Sequence, residues 1–169
     1  SHDNVTANGV GIGMVSNGCL LDCCIADSNG SAGIMSSGTL VSICHCDCYA
    51  NGGNGIELTN TSAGIVNIQN CNFLANGGYG INGSGAGARN GIVLNCNFGS
   101  GVGVANTSGA YTGLKSISVV NELALTSLPL VDAPNGDFDI NLAGALGTGA
   151  GGFLQTAAGY AGTVSKPNI

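Results

Sequence analysis

The chain has 169 residues, of which 44% are hydrophobic and only 7% charged, with 31 glycines and no tryptophan. Helices surfaced by Glu, Lys and Arg are thereby nearly excluded, and one turn-rich β domain with a real interior is expected. Nine acidic against three basic residues give a formal net charge of −6, which leaves no cationic footprint for nucleic acid or for an anionic membrane surface.

The opening stretch SHDNVTANG has neither a charged leader nor an apolar segment and reads as the start of a processed or truncated chain. No apolar run reaches bilayer-spanning length, so membrane insertion is not expected. From there one phrase recurs. A degenerate copy, DNVTANGVGI, closes at Ile12; CCIADSNGSAGI closes at Ile34, CDCYANGGNGI at Ile56, CNFLANGGYGI at Ile81, and a shortened CNFGSGVGV at Val104. The closing residues are spaced by 22, 22, 25 and 23 positions, the period of one coil of a repeat architecture.

A short strand pattern precedes each phrase: LLDCC, SICHC, VNIQNC and IVLNC. In register, Leu21, Ile43, Ile68 and Val93 share one inward slot, and Cys24, Cys46, Cys71 and Cys96 share a second. Val5, Ala26, Cys48, Phe73 and Phe98 share a third. Just before the cysteine slot stand Cys23, His45, Asn70 and Asn95; Asn there predicts a bend, because it tolerates left-handed backbone. Units this small bury an apolar face only by stacking on their own copies. The expected architecture is therefore an all-β parallel solenoid of about five to six coils over residues 1–124, with residues 125–169 capping it or packing along it.

The cysteine column is expected to act as small apolar packing. In-register neighbours lie ~4.8 Å apart along such a stack, against ~3.8 Å between the Cβ atoms of a disulfide, so a ladder of bridges is not expected. A single bridge among Cys19, Cys23, Cys44 and Cys48 stays open. CHCDC, Cys44 to Cys48, also reads as a metal motif with Cys23, His45 and Asp47 as further ligands, but it lacks paired C-x₂-C spacing. His2 and His45 stand in no recognisable nucleophile motif. The strings from Gly83 to Gly91 and from Gly144 to Gly152 are read as corner loop and tail, and NGDF, ending at Phe138, as a turn into a last strand. Asn60-Thr61-Ser62 and Asn106-Thr107-Ser108 have the form of glycosylation acceptors.

The pattern apolar-x-Asn-Cys-x-Phe-x-x-Asn-Gly-Gly-x-Gly-Ile resembles the right-handed parallel β-helix repeat of the pectin-lyase-like superfamily over roughly residues 1–125. Pro129, Val131, Asp132, Gly136, Asp137 and Phe138 resemble the closing segment of secreted bacterial and phage-associated β-helix proteins. The resemblance implies a β-helix and admits several functions. Lyases of the superfamily gather Asp and Glu around calcium beside a basic residue, whereas Asp22, Asp27, Asp47 and Glu57 share no column here, with only Arg89 and Lys115 near. Hydrolases use paired Asp residues; Asp132, Asp137 and Asp139 cluster in sequence but fit the final turn and strand better. No catalytic, cofactor-binding or metal residue is assigned. The expected function is a non-catalytic extracellular structural or adhesive module that self-associates through its solenoid ends and has polysaccharide as a possible partner. A carbohydrate-active enzyme or a glycan-binding tailspike fragment is the alternative.

Overall fold

In the computed structural model, the described residues are 9–60, 62, 64–83, 89–99 and 105–114, with only the backbone described at residue 89 and for the strands over 117–120, 123–125, 130–132 and 137–140. Three short strands form each coil. The first has β1 (Ile12–Met14), β2 (Cys19–Asp22) and β3 (Ile25–Asp27), and the second β4 (Ile34–Ser36), β5 (Leu40–Cys44) and β6 (Asp47–Tyr49). The third has β7 (Ile56–Leu58), β8 (Gly64–Gln69) and β9 (Asn72–Leu74). Strands β10 (Tyr79–Asn82), β11 (Arg89–Leu94) and β12 (Asn97–Gly99) follow, then β13 (Gly109–Thr112), β14 (Ile117–Val120) and β15 (Leu123–Leu125).

Equivalent strands pair in parallel from coil to coil, giving three sheets: β1-β4-β7-β10-β13, β2-β5-β8-β11-β14 and β3-β6-β9-β12-β15. The fold is thus a parallel β-solenoid, as the repeat predicted. Its extent needs correcting. Residues 9–83, described throughout but for 61 and 63, make about three turns rather than five to six. Later strands extend the same sheets, but the connections over 84–88, 100–104, 115–116 and 121–122 lie outside the described residues. β16 (Leu130–Asp132) and β17 (Asp137–Ile140) pair antiparallel; β17 is the last strand expected after NGDF, and the turn expected before it, over 133–136, lies outside the described residues.

Two left-handed residues bracket the third strand of each of the first three coils. Cys23, His45, Asn70 and Asn95 have φ of 53°, 49°, 52° and 52°, at the bend predicted from Asn. Five positions later Ser28, Ala50 and Ala75 have φ of 53°, 52° and 56°. This conformation costs an alanine about 1 kcal/mol, and its side chain has no hydrogen bond to offset it. Contacts between coils hold it instead: the Ser28 amide donates to the Tyr49 carbonyl at 3.0 Å and the Ala50 amide to that of Leu74 at 3.1 Å.

The inward columns follow the predicted slots. Ile12, Ile34, Ile56 and Ile81 are register partners in succession, and so are Leu21, Ile43, Ile68 and Val93. Cys46, Cys71 and Cys96 are fully buried, with Cys24 packed against the same core. All eight cysteines are free thiols. The third column grows from Ala26 through Cys48 to Phe73 and Phe98, whose rings stack with centroids 5.3 Å apart. A fully buried isoleucine contributes about 2 kcal/mol, so four such columns supply the driving force that a single coil lacks.

One register prediction fails. Ile81 pairs with Tyr111, not Val104, and Tyr111 closes on Phe98 edge-to-face at 5.9 Å. The true fifth copy is ANTSGAY, in which Asn106 precedes Tyr111 by five residues, just as Asn76 precedes Ile81. Val104 lies outside the described residues. The expected corner loop over residues 83–91 is also shortened, because β11 begins at Arg89.

Candidate functional site

The asparagines that follow Ser28, Ala50, Ala75 and Ala105 point inward. Asn29, Asn51, Asn76 and Asn106 are all buried and form a ladder along the solenoid axis. Asn29 Nδ2 donates to Asn51 Oδ1 at 2.9 Å, Asn51 Nδ2 to Asn76 Oδ1 at 2.9 Å, and Asn76 Nδ2 to Asn106 Oδ1 at 2.8 Å. The backbone amides of Asn29, Asn51 and Asn76 donate to the same acceptors. The second amide proton reaches a strand carbonyl: Ala26 from Asn51, Cys48 from Asn76 and Phe73 from Asn106. Buried amides are stabilising only when satisfied in this way. The glycines before Ile12, Ile34, Ile56 and Ile81 are needed for the same approach. A Cβ on Gly55 would lie 2.6 Å from the Gly80 carbonyl oxygen and 3.0 Å from the Phe73 ring. Burial of Asn106 also removes its sequon as an accessible acceptor.

A second buried ladder ends on a carboxyl group. Asn97 Nδ2 donates to Asn72 Oδ1, and Asn72 Nδ2 to Asp47 Oδ1 at 2.5 Å. Burial pushes Asp47 up to about 7, against a smaller opposing effect of the Asn72 hydrogen bond. Asn97 Oδ1 meets no donor among the described residues; its register partner on the far side is Leu123.

The third ladder runs along the corner between the second and third sheets, from buried Asn95 out to exposed Asp22. Asn95 Nδ2 donates to Asn70 Oδ1 at 3.2 Å, Asn70 Nδ2 approaches His45 Nε2 at 3.0 Å, and His45 Nδ1 meets Asp22 Oδ1 at 2.8 Å. The consistent reading is a neutral His45 protonated on Nδ1, accepting from Asn70 and donating to Asp22. The His45 hydrogen bond holds the Asp22 carboxyl below its ordinary value. Cys23 stands beside them, and the donor atoms of Asp22, Cys23 and His45 all lie within 4.8 Å of one another. Burial, then the Asp22 charge, raises the Cys23 thiol. With the imidazole directed at Asp22 and Asn70, the thiol is not activated as a nucleophile.

The metal motif read in CHCDC is therefore taken apart and rebuilt. Cys46 and Cys48 point into the core, and Asp47 ends a buried ladder. Of that set, Cys23 and His45 do meet, and the third donor is Asp22, which sequence reasoning weighed only for a calcium cluster and not with Cys23 and His45. The signal was present in the register: Cys23 and His45 occupy the same slot one coil apart, with Asp22 adjacent in sequence.

The other carboxylates remain dispersed. Asp27 and Asp47 are buried, and Glu57 accepts from Asn82 at 3.0 Å and from Asn54. In register Asp22 stands beside Cys44, Asp27 beside Tyr49, and Glu57 between Met35 and Asn82, so no carboxylate column forms among the described residues. The side chains of Arg89, Asp132, Asp137 and Asp139, and all of His2 and Lys115, lie outside the described residues. The outward face of the second sheet instead carries Leu20, Leu40, Ile65 and Ile92, each about half exposed or more, among Ser42 and Asn67. No protein-family model, curated protein or solved structure matches the chain.

Proposed function

We propose that the chain is a non-catalytic extracellular structural or adhesive module, a divergent β-helix of the pectin-lyase-like kind that associates end to end as a fibre or filament subunit. The observation that supports this reading is the axial use of its polar side chains. Three ladders employ Asn, Asp and His to hold one coil to the next. The outward sheet presents aliphatic, hydroxyl and amide groups instead of a carboxylate cleft. Open parallel edges recruit further strands unless they are covered, and repeat stacks gain stability from each added neighbour. A weakly charged face of aliphatic, hydroxyl and amide groups also suits contact with a neutral polysaccharide.

Electron microscopy of the purified protein tests the proposal. End-to-end fibres one solenoid wide are expected. Discrete monomers that cleave members of a polysaccharide panel would overturn it in favour of a carbohydrate-active enzyme.

A further inference from the structure

We infer that Asp22, Cys23 and His45 form a binding site for one zinc-class divalent transition metal ion. Three different donors converge there, a carboxylate oxygen, a thiol sulfur and an imidazole nitrogen, all within 4.8 Å of one another. Zinc takes this mixture in tetrahedral geometry, with bonds of about 2.0–2.3 Å, and commonly leaves a fourth position to water. Calcium and magnesium require six or more oxygens, so a set with one carboxylate, one sulfur and one nitrogen selects against them.

The solenoid fixes where these side chains start. Cys23 and His45 are register equivalents on adjacent coils, both in left-handed backbone. Their amides are tied to the next coil, Cys23 to the Cys44 carbonyl at 3.2 Å and His45 to that of Gln69 at 3.0 Å. Asp22, the last residue of β2, is held beside Cys44 by strand pairing. The separation of Cys23 and His45 along the axis is therefore set by the coil spacing and needs no loop ordering. Asp22 and His45 side chains are 51% and 39% exposed, which gives an ion and its water a path in and leaves the rotamers free to close around it.

The protons balance. The metal replaces the Cys23 thiol proton, which leaves to solvent, and occupies His45 Nδ1, whose proton moves to Nε2. Asn70, 3.0 Å from Nε2 through its amide nitrogen, turns its amide over to accept that proton through Oδ1 and gives up its hydrogen bond from Asn95 Nδ2. A ligating histidine ordinarily has such an outer partner. In the next coils the slot of Cys23 and His45 holds Asn70 and Asn95, which supply no comparable donors. Among the described residues this makes one such site.

The reduced, metal-free full chain is titrated with Co²⁺, followed by its thiolate-to-cobalt absorption, and with Zn²⁺ by calorimetry. One ion per chain and a charge-transfer band are expected. Cys23→Ser abolishes the band. His45→Asn weakens both metals at least 10-fold while keeping the fold, because asparagine already occupies this slot in the following coils; circular dichroism confirms that it does. Asn70→Ala, which removes only the outer partner, weakens them about 10-fold. Cys44→Ser leaves the band in place. Absence of binding, or a band that survives Cys23→Ser but is lost in Cys44→Ser, would overturn the assignment. Fibre formation is scored separately on the metal-free chain, so failure here is distinguishable from failure of the proposed function.

Discussion

Substituting Asp47 by Asn isolates the one ionisable group that, among the described residues, ends a buried ladder. Desolvation raises the folded-state carboxyl from 3.8 to about 7, so between these values the folded chain holds a proton that the unfolded chain has lost. Stability then falls as pH rises through that window, is greatest below about 4 and levels off above about 7. Each tenfold change in proton affinity is worth about 1.4 kcal/mol, so the whole interval corresponds to about 4 kcal/mol at most. The amide of Asp47→Asn would still accept from Asn72 while carrying no charge at any pH. Urea unfolding at pH 4, 5.5 and 8 measures the effect. Wild type is expected to lose a few kcal/mol from pH 4 to 8, and Asp47→Asn to lose little and to be the more stable at pH 8. Asp22, lowered by His45, does not confound the test. Its contribution is present above its unfolded value and is lost as pH falls below it, outside the window. Wild-type stability that is flat or rising between pH 4 and 7, or an Asp47→Asn slope equal to that of wild type, would refute the reasoning.

Asn76→Ala should cost about 3 kcal/mol in urea unfolding. It strips Asn51 of a shared acceptor and the Cys48 carbonyl of its amide donor, and each orphaned buried group costs about 1–3 kcal/mol; a loss under about 1 kcal/mol would mean that the ladder does not hold the coils. Thiol alkylation of the native reduced protein, read by peptide mass, should modify exposed Cys23 and spare Cys46, Cys48, Cys71 and Cys96 until the chain unfolds. Burial holds the Cys48 and Cys71 thiols well above their ordinary value; native labelling of these four would contradict the two inward columns they occupy.

The sequence made legible what repeats with a side-chain signature. The Leu21-Ile43-Ile68-Val93 and Cys24-Cys46-Cys71-Cys96 columns could be aligned from the phrase, and Asn70 and Asn95 announced their own bend. The second bend could not be read, because Ser28, Ala50 and Ala75 carry no local preference for left-handed backbone and are held there by the neighbouring coil. The Asn29-Asn51-Asn76-Asn106 ladder was hidden by the ordinary use of Asn in turns. Whether such an Asn turns outward or stacks inward depends on its equivalent in the next coil. The corner cluster was half legible: the alignment already put Cys23 and His45 in one slot, and only the fold shows that the neighbouring Asp22 side chain reaches His45.

The closing error is the most informative. Val104 sits at a regular distance from Ile81, yet Tyr111 takes the place, because the ladder fixes register through Asn106 and intervening residues do not. Coil register is thus set by the interval from ladder asparagine to closing residue, and not by the residue count of the coil. Nuclear Overhauser contacts of the Tyr111 ring test this directly. The account predicts contacts from Tyr111 to Phe98 and Ile81; contacts from Val104 to Ile81 in their place would contradict it.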